Sequence, residues 1–422
     1  MTTDAVGPSP SLARAASLLG PAMALANALQ YALQLTASRA LSSEDFGAFG
    51  SLLGLGVVGA VPMLALQTVA ARQVALRGDD PAARRNEVAR LQSTSRRAGL
   101  GISVLGLLSA PAVAAFLHVP VLAAMWLALS LGPLAVAGTC QGVLQGRQRF
   151  AALSAVFLGV SVFRVLGGVA GLLLVPHVTW GLAGTAFGAA AGALMATVAT
   201  RHETSRQRCA APPGFLLELR RASSGVLALL LLGGADLLLA RHVLPGRESG
   251  RYAVGSLFAR GCFWLPQFVA VLVVPRLSTG EEALARRALA FVAGLGVLEA
   301  LAALVVPPYV VALLFGARYG SMAHLLVLFA LEGACLAVLQ LLLYGAIARA
   351  GAPVGWVLWT AIAVEAGTVL TVRPGLVGVV GIALACNVAA VLTVLWTVER
   401  RGRPRLITPH QGTATGRRAA RA

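Results

Sequence analysis

The chain has 422 residues, 58% of them hydrophobic and only 12% charged, with a mean hydropathy of +0.80. Soluble domains carry about 25% charged residues, so that class is excluded. All 34 basic side chains are arginine and the net charge is +18; in a soluble protein such a balance points to nucleic acid, but in a chain this apolar it is first a signal of membrane topology.

A bilayer-crossing helix needs about 20 mostly apolar residues. In chain order such stretches lie near 15–38, 46–70, 98–117, 120–143, 152–175, 179–200, 222–243, 252–275, 288–314, 322–348, 353–372 and 376–397. The predicted fold class is all-α: a polytopic membrane protein of about 12 transmembrane helices.

The gaps between these stretches alternate between arginine-rich and arginine-poor. With the N-terminus in the cytoplasm, the inside segments collect 26 arginines. The outside segments hold six, Arg39, Arg241, Arg247, Arg251, Arg318 and Arg373, and Arg164 and Arg260 remain within spans. Cytoplasmic loops are enriched in basic residues, so both termini are expected in the cytoplasm and the protein in the cytoplasmic (inner) membrane. Arg14 is the one basic residue before the first span and no small-residue cleavage site follows a short apolar core, so the first helix is expected to be retained. The five cysteines show no disulfide or metal-ligand spacing; four of them, Cys140, Cys262, Cys335 and Cys386, fall in or beside apolar helices, as packing residues do.

The longest polar interval divides the chain into lobes at 1–200 and 222–398, with a cytoplasmic linker at 201–221 and a basic, disordered tail at 399–422. The lobes echo each other. Arg39, Gly47, Phe49, Pro62 and Arg72 recur as Arg241, Gly250, Tyr252, Pro266 and Arg276, at offsets of 202, 203, 203, 204 and 204 residues. A weaker echo pairs Leu144, Gly146 and Arg149 with Leu343, Gly345 and Arg349. Internal repeats build many secondary transporters, with the substrate site at the interface between repeats. Six spans per half make the repeats parallel. The outside loops, such as His118-Val119-Pro120, are short, which disfavours a membrane glycosyltransferase or polymerase.

The stretch from Asn27 to Tyr31, followed by Ser38-Arg39 and by Leu41 to Gly47, resembles the first-helix signature of the polysaccharide and O-antigen flippases of the multidrug/oligosaccharidyl-lipid/polysaccharide (MOP) exporter superfamily. Leu66-Gln67, Leu144 to Phe150, Asp236 to Arg241, Gly250 to Ala253, Leu265-Pro266, Pro275 to Ser278 and Phe315 to Tyr319 extend the resemblance in order over roughly 27–350. It implies two six-helix lobes in a V, alternating access, and a cavity lined by the first, second, seventh and eighth helices. It also implies a cargo of oligosaccharide on a polyprenyl pyrophosphate carrier.

Moving such a cargo requires a polar route for sugars and phosphates. In the first helix Asn27, Gln30, Tyr31, Gln34 and Ser38 recur every three to four residues, which places them on one stripe. The stripe lines a cavity or bonds to neighbouring helices. Arg260 falls well inside the eighth helix with Gln267 on its face. An intramembrane charge costs at least ~2.5 kcal/mol and faces a cavity or a partner, so Arg260 either meets the cargo's phosphates or pairs with Asp236. Gln67 joins the cavity candidates, and Arg39, Arg241 and Arg251 lie where the family's cavity opens outward, to hold the headgroup or to snorkel. Arg164 is expected to pack or to pair with Glu299, Glu332 or Glu365. Asp236 and Glu365 are candidates for ion coupling, with Asn387 beside them as a weaker one. Pro62 and Pro266, at equivalent repeat positions, are candidate hinges or sites of static curvature.

Gly54-Leu-Gly56-Val-Val-Gly59 satisfies a dinucleotide-binding pattern, but it lies inside an apolar helix with no preceding strand, so its glycines are read as helix-packing residues. The function expected is a flippase for a polyprenyl-pyrophosphate-linked oligosaccharide, with no enzymatic step, cofactor or metal. It is expected to be a monomer among membrane lipids, alongside glycosyltransferases or a polymerase of the same pathway, and to bind no nucleic acid. The alternatives are a cation-coupled drug exporter of the same superfamily and a non-transporting scaffold for cell-wall assembly.

Overall fold

The computed structural model describes residues 10–77, 81–203, 215–266, 282–348 and 354–402. These residues are all helical or in short connections. The first half holds α1 (Pro10–Ala40), α2 (Ser43–Gly59), α3 (Val61–Leu76), α4 (Pro81–Leu117), α5 (Val121–Gly146), α6 (Phe150–Leu174) and α7 (Val178–Ala199), with a 3-10 turn at Arg201–Glu203. The second holds α8 (Phe215–Val243), α9 (Gly246–Trp264), α10 (Glu282–Val305), α11 (Pro308–Phe315), α12 (Leu326–Ala348), α13 (Val354–Val372) and α14 (Leu376–Gly402), with a 3-10 segment at Ala317–Leu325.

Nine stretches of the described residues are long and apolar enough to cross a bilayer. Both α1, with 31 residues, and α8, with 29, also have the length, and the polar stripe of α1 accounts for its lower hydropathy. Large apolar side chains such as Leu105, Leu108, Leu173, Leu174, Val305 and Trp356 point outward. A water-soluble surface would not carry such a belt; a bilayer accommodates it. The result is the all-helical, polytopic membrane architecture expected.

Within the first half α6 packs on α7 and α1, and α5 on α3, α4 and α7. Within the second, α12 packs on α9, α10 and α14, and α13 on α8 and α14. The seam between the halves is formed chiefly by α2 and α3 against α8 and α9.

The span that begins at Ser43 is broken. Ala60 ends α2 and begins α3, with Pro62 in the first turn of α3, where its missing N–H costs nothing. At the equivalent repeat position α9 ends at Trp264, and Pro266 follows in a turn.

At the seam the repeated glycines meet each other. A Cβ on Gly47 would lie 2.9 Å from the Gly250 nitrogen, and one on Gly250 would lie 1.8 Å from the Ser43 carbonyl oxygen. Gly50 faces Ala253, again at an offset of 203. Contact between a residue and its own repeat counterpart marks a local two-fold axis, so only a residue without a side chain fits there.

Candidate functional site

Between the halves lies a small, partly open cavity of about 70 Å³. Its walls are Gly54 and Val57 of α2; Leu229, Leu230, Gly233 and Gly234 of α8; Ser256 to Trp264 on one face of α9; and Glu332 and Leu336 of α12. Arg260 is its central cation. A Cβ on Gly54 would stand 2.8 Å from Arg260 Nη2, and one on Gly234 would stand 3.8 Å away. The guanidinium of the second half therefore lies against bare backbone of the first. Arg260 forms no ion pair with a described carboxylate, though Asp236 and Glu332 are near enough to interact with it electrostatically. An intramembrane guanidinium with spare donors in a cavity suits an anionic group.

Behind Arg260 sits a buried acidic cluster. Asp236 of α8 is 1% exposed and interacts electrostatically with Tyr252, Glu332 and Glu365, all buried. Tyr252 and Glu332 lie close enough to Asp236 to share hydrogen bonds with it, whereas both Glu365 oxygens and both side-chain polar atoms of the buried Asn387 have no partner among the described residues. Native interiors rarely leave such groups unsatisfied.

The α1 stripe reaches the seam through one residue, Tyr31, whose hydroxyl donates to the Leu257 carbonyl of α9 over 3.3 Å. Asn27, Gln30 and Gln34 are half-buried on the same helix and make no hydrogen bond to another described residue, while Ser38 donates to Leu35 O of its own helix. Gln67 Nε2 donates to Gln145 Oε1 over 3.3 Å, which ties α3 to α5 within the first half.

The arginines of the arginine-poor end divide. Arg241, 5% exposed, donates to the carbonyls of Leu117, His118 and Glu44 and to Ser249 Oγ, at 2.7–3.2 Å. Arg39 is exposed and donates to the Leu313 and Leu314 carbonyls. Arg251 is half-buried near the start of α9 and bonds to no other described residue. Gln267 lies outside the described residues.

Of the two alternatives for Arg164, packing and pairing, pairing finds no support: it forms no ion pair with a described carboxylate, and its Nε is buried without a partner among the described residues. Its helix, α6, packs on α1 and α7 of the first half, whereas Glu299, Glu332 and Glu365 stand on α10, α12 and α13 of the second. The sequence also gave no reason to join Tyr252 or Glu332 to Asp236. An acid in the apolar run of α12 was a signal for Glu332; Tyr252 carried none beyond its repeat position.

The fold is similar to that of solved membrane transporters, among them members of the MOP superfamily. An inward-facing multidrug resistance MATE family transporter matches with TM-score 0.66 and 15% identity, over 88% of this chain and 93% of that one. The lipid II flippase MurJ in an inward closed conformation matches with TM-score 0.73 and 10% identity, over 90% and 87%. An outward-facing MATE family transporter gives 0.53 at 14% identity, over 92% and 95%. No protein-family model matches the chain, and no curated protein matches it by sequence. The overlap is better with the inward-facing MATE structure than with the outward-facing one.

Proposed function

We propose that the chain is a flippase that carries a polyprenyl-pyrophosphate-linked oligosaccharide across the cytoplasmic membrane, with its arginine-rich end and both termini in the cytoplasm. The supporting observation is Arg260, a guanidinium that lines the cavity at the seam of the two halves and forms no ion pair with a described carboxylate. The phosphates of a headgroup would meet it there while the polyprenyl chain stays in hydrocarbon. Guanidinium forks bind phosphate oxygens in pairs. The amides of Asn27, Gln30 and Gln34 and the half-buried Arg251 are the candidates for sugar and phosphate contacts along the route. The acidic cluster around Asp236 and Glu365 supplies ion coupling. Glycosyltransferases or a polymerase of the same pathway are the partners this cargo implies.

A second reading, a cation-coupled exporter of small cationic molecules, is favoured by Phe263, Trp264 and Glu332 in the same wall, since aromatic faces and a carboxylate attract cations. The two readings assign opposite roles to the cavity's charges. Translocation of a labelled polyprenyl-pyrophosphate oligosaccharide in proteoliposomes, with Arg260→Ala and Glu332→Gln beside the unaltered protein, separates them. The flippase reading expects leaflet exchange that depends on the protein and falls at least about tenfold in Arg260→Ala, equivalent to one lost charged hydrogen bond. Absence of exchange, with export of a cationic dye that Glu332→Gln abolishes, would establish the second reading instead.

A further inference from the structure

Arg39 and Arg241 are repeat counterparts, 202 residues apart, and each reaches across the seam. Arg39, at the end of α1, donates through Nε to Leu314 O at 3.2 Å and through Nη2 to Leu313 O, the last carbonyls of α11. Arg241, at the end of α8, donates to Leu117 O at 2.8 Å and His118 O at 2.7 Å, where α4 ends. In each half the target lies at or just after the end of its third span. A third arginine closes the ring: Arg318, following α11, donates to Leu41 O, just past the end of α1, at 2.8 Å.

Helix C-termini leave carbonyls without intrahelical donors and carry partial negative charge. Lys and Arg commonly satisfy the last carbonyls of a helix. Here each half supplies the cap for the other. The acceptors are carbonyls, with Ser249 Oγ added at Arg241, and no described carboxylate forms an ion pair with any of the three arginines. At the opposite end the described ion pairs Arg77–Glu87, Arg90–Glu87, Arg147–Glu203 and Arg149–Glu203 stay within the first half.

We propose that Arg39, Arg241 and Arg318 form a pseudo-symmetric clasp that holds the arginine-poor end shut, and that its release is the step that opens this end. The three guanidiniums bind helix ends that must separate for the end to open; beside these bonds Arg318 also lies over the ring of its neighbour Tyr319, 5.8 Å from the centroid. Both are exposed at the rim, so water replaces the lost bonds when they let go. Arg241 is the buried arm of the same device, closing directly over the glycine contact of α2 and α9. The clasp belongs to the fold and holds whatever the cargo is.

The test is a distance measurement that needs no cargo. Spin labels are placed at Val121 and Tyr309, 45% and 71% exposed on opposite halves of this end, in a chain whose five native cysteines are replaced by serine or alanine. In lipid nanodiscs the unaltered clasp gives one short distance. Arg39→Ala with Arg318→Ala is expected to raise the long-distance population at least about tenfold relative to the short one, and Arg97→Ala, an exposed arginine of the other end, is expected to change nothing. Arg39→Lys with Arg318→Lys keeps the charge but loses the fork, so it should shift the population part of the way. Should the alanine pair not fold, the lysine pair decides: a partial shift toward the long distance supports the clasp, and an unchanged distribution overturns it. Folded variants with the distance distribution of the unaltered chain would overturn the clasp.

Discussion

Replacing Gly250 by alanine is the sharpest test of how the halves meet. The added Cβ would lie 1.8 Å from the Ser43 carbonyl oxygen and 2.6 Å from its carbon. An ordinary carbon–oxygen contact is about 3.3 Å, so α2 and α9 must part by roughly 1.5 Å at this point. Both atoms met are backbone, and no rotamer relieves them. Overpacking of this kind costs about 1–3 kcal/mol, while alanine returns up to about 1 kcal/mol of helix propensity over glycine. The net expectation is a closed state weakened by about 1–2 kcal/mol. The strain can be released by unfolding or by opening the arginine-poor end, so two readouts are needed: the apparent Tm in detergent, and the Val121 to Tyr309 label distance. Gly294→Ala is the control, since nothing lies within 4 Å of a Cβ there and propensity alone should leave it neutral or slightly stabilised. If Gly250→Ala matched Gly294→Ala in both readouts, the close glycine contact would not exist in the protein and the seam would be wrongly placed.

Gly54→Val is expected to leave stability nearly unchanged, because the atom it meets, Arg260 Nη2 at 2.8 Å, is the far end of a flexible side chain. Transport should nevertheless fall as in Arg260→Ala, since the guanidinium loses its place against α2; a fully active variant would detach Arg260 from the route. For Glu365→Gln the oxygens replaced make no hydrogen bond, so the apparent Tm should move by no more than a loss of about 1 kcal/mol would produce, while the response of transport to an imposed proton or sodium gradient disappears. A stability loss of about 3–5 kcal/mol would instead reveal a paired carboxylate, and a retained gradient response would remove Glu365 from coupling.

Much of the fold was readable because a bilayer imposes a single length scale. Runs near 20 residues, separated by loops of alternating charge, become helices of alternating direction. The broken span at Ala60 was readable only as a proline, since Pro62 fixes where a helix can begin but not that α2 must end one residue earlier. The repeat of Gly47 and Gly250 was visible as spacing, but spacing does not say that the two copies touch. Arg260 announced itself as a charge in an apolar run. Its neighbours did not: Gly54 looked like any small residue of a packed helix, and Tyr252 like an apolar repeat position. The carbonyl partners of Arg39 and Arg241 were beyond reach, because a backbone acceptor has no sequence signature. For Arg164 the choice between packing and pairing was not legible, because the sequence does not say that α6 faces its own half.

The repeat also exposes where the chemistry is not duplicated. At the offset of 203 the counterparts of Asp236, Tyr252 and Arg260 are Leu33, Phe49 and Val57. Leu33 and Phe49 are buried in the apolar core, and Val57 lines the same cavity as Arg260 from the opposite wall. The backbone frame at the arginine-poor end is therefore shared by both halves, down to the glycines on the axis and the pair Arg39 and Arg241, whereas Arg318 has Ala115 as its counterpart. Among the described residues the ionisable groups of the apolar spans are not shared: Asp236, Glu299, Glu332, Glu365 and Arg260 stand in the second half, against Arg164 in the first, where the buried Glu87 is paired with Arg77 and Arg90 at the arginine-rich end. Symmetric contacts suit a seam that must open and close by similar motions of its two sides. Asymmetric charges suit a cavity that must tell one end of a cargo from the other. Moving Arg260 to its counterpart, as Arg260→Val with Val57→Arg, keeps the cavity's charge and reverses its polarity. On this reasoning the seam survives that exchange, while transport does not.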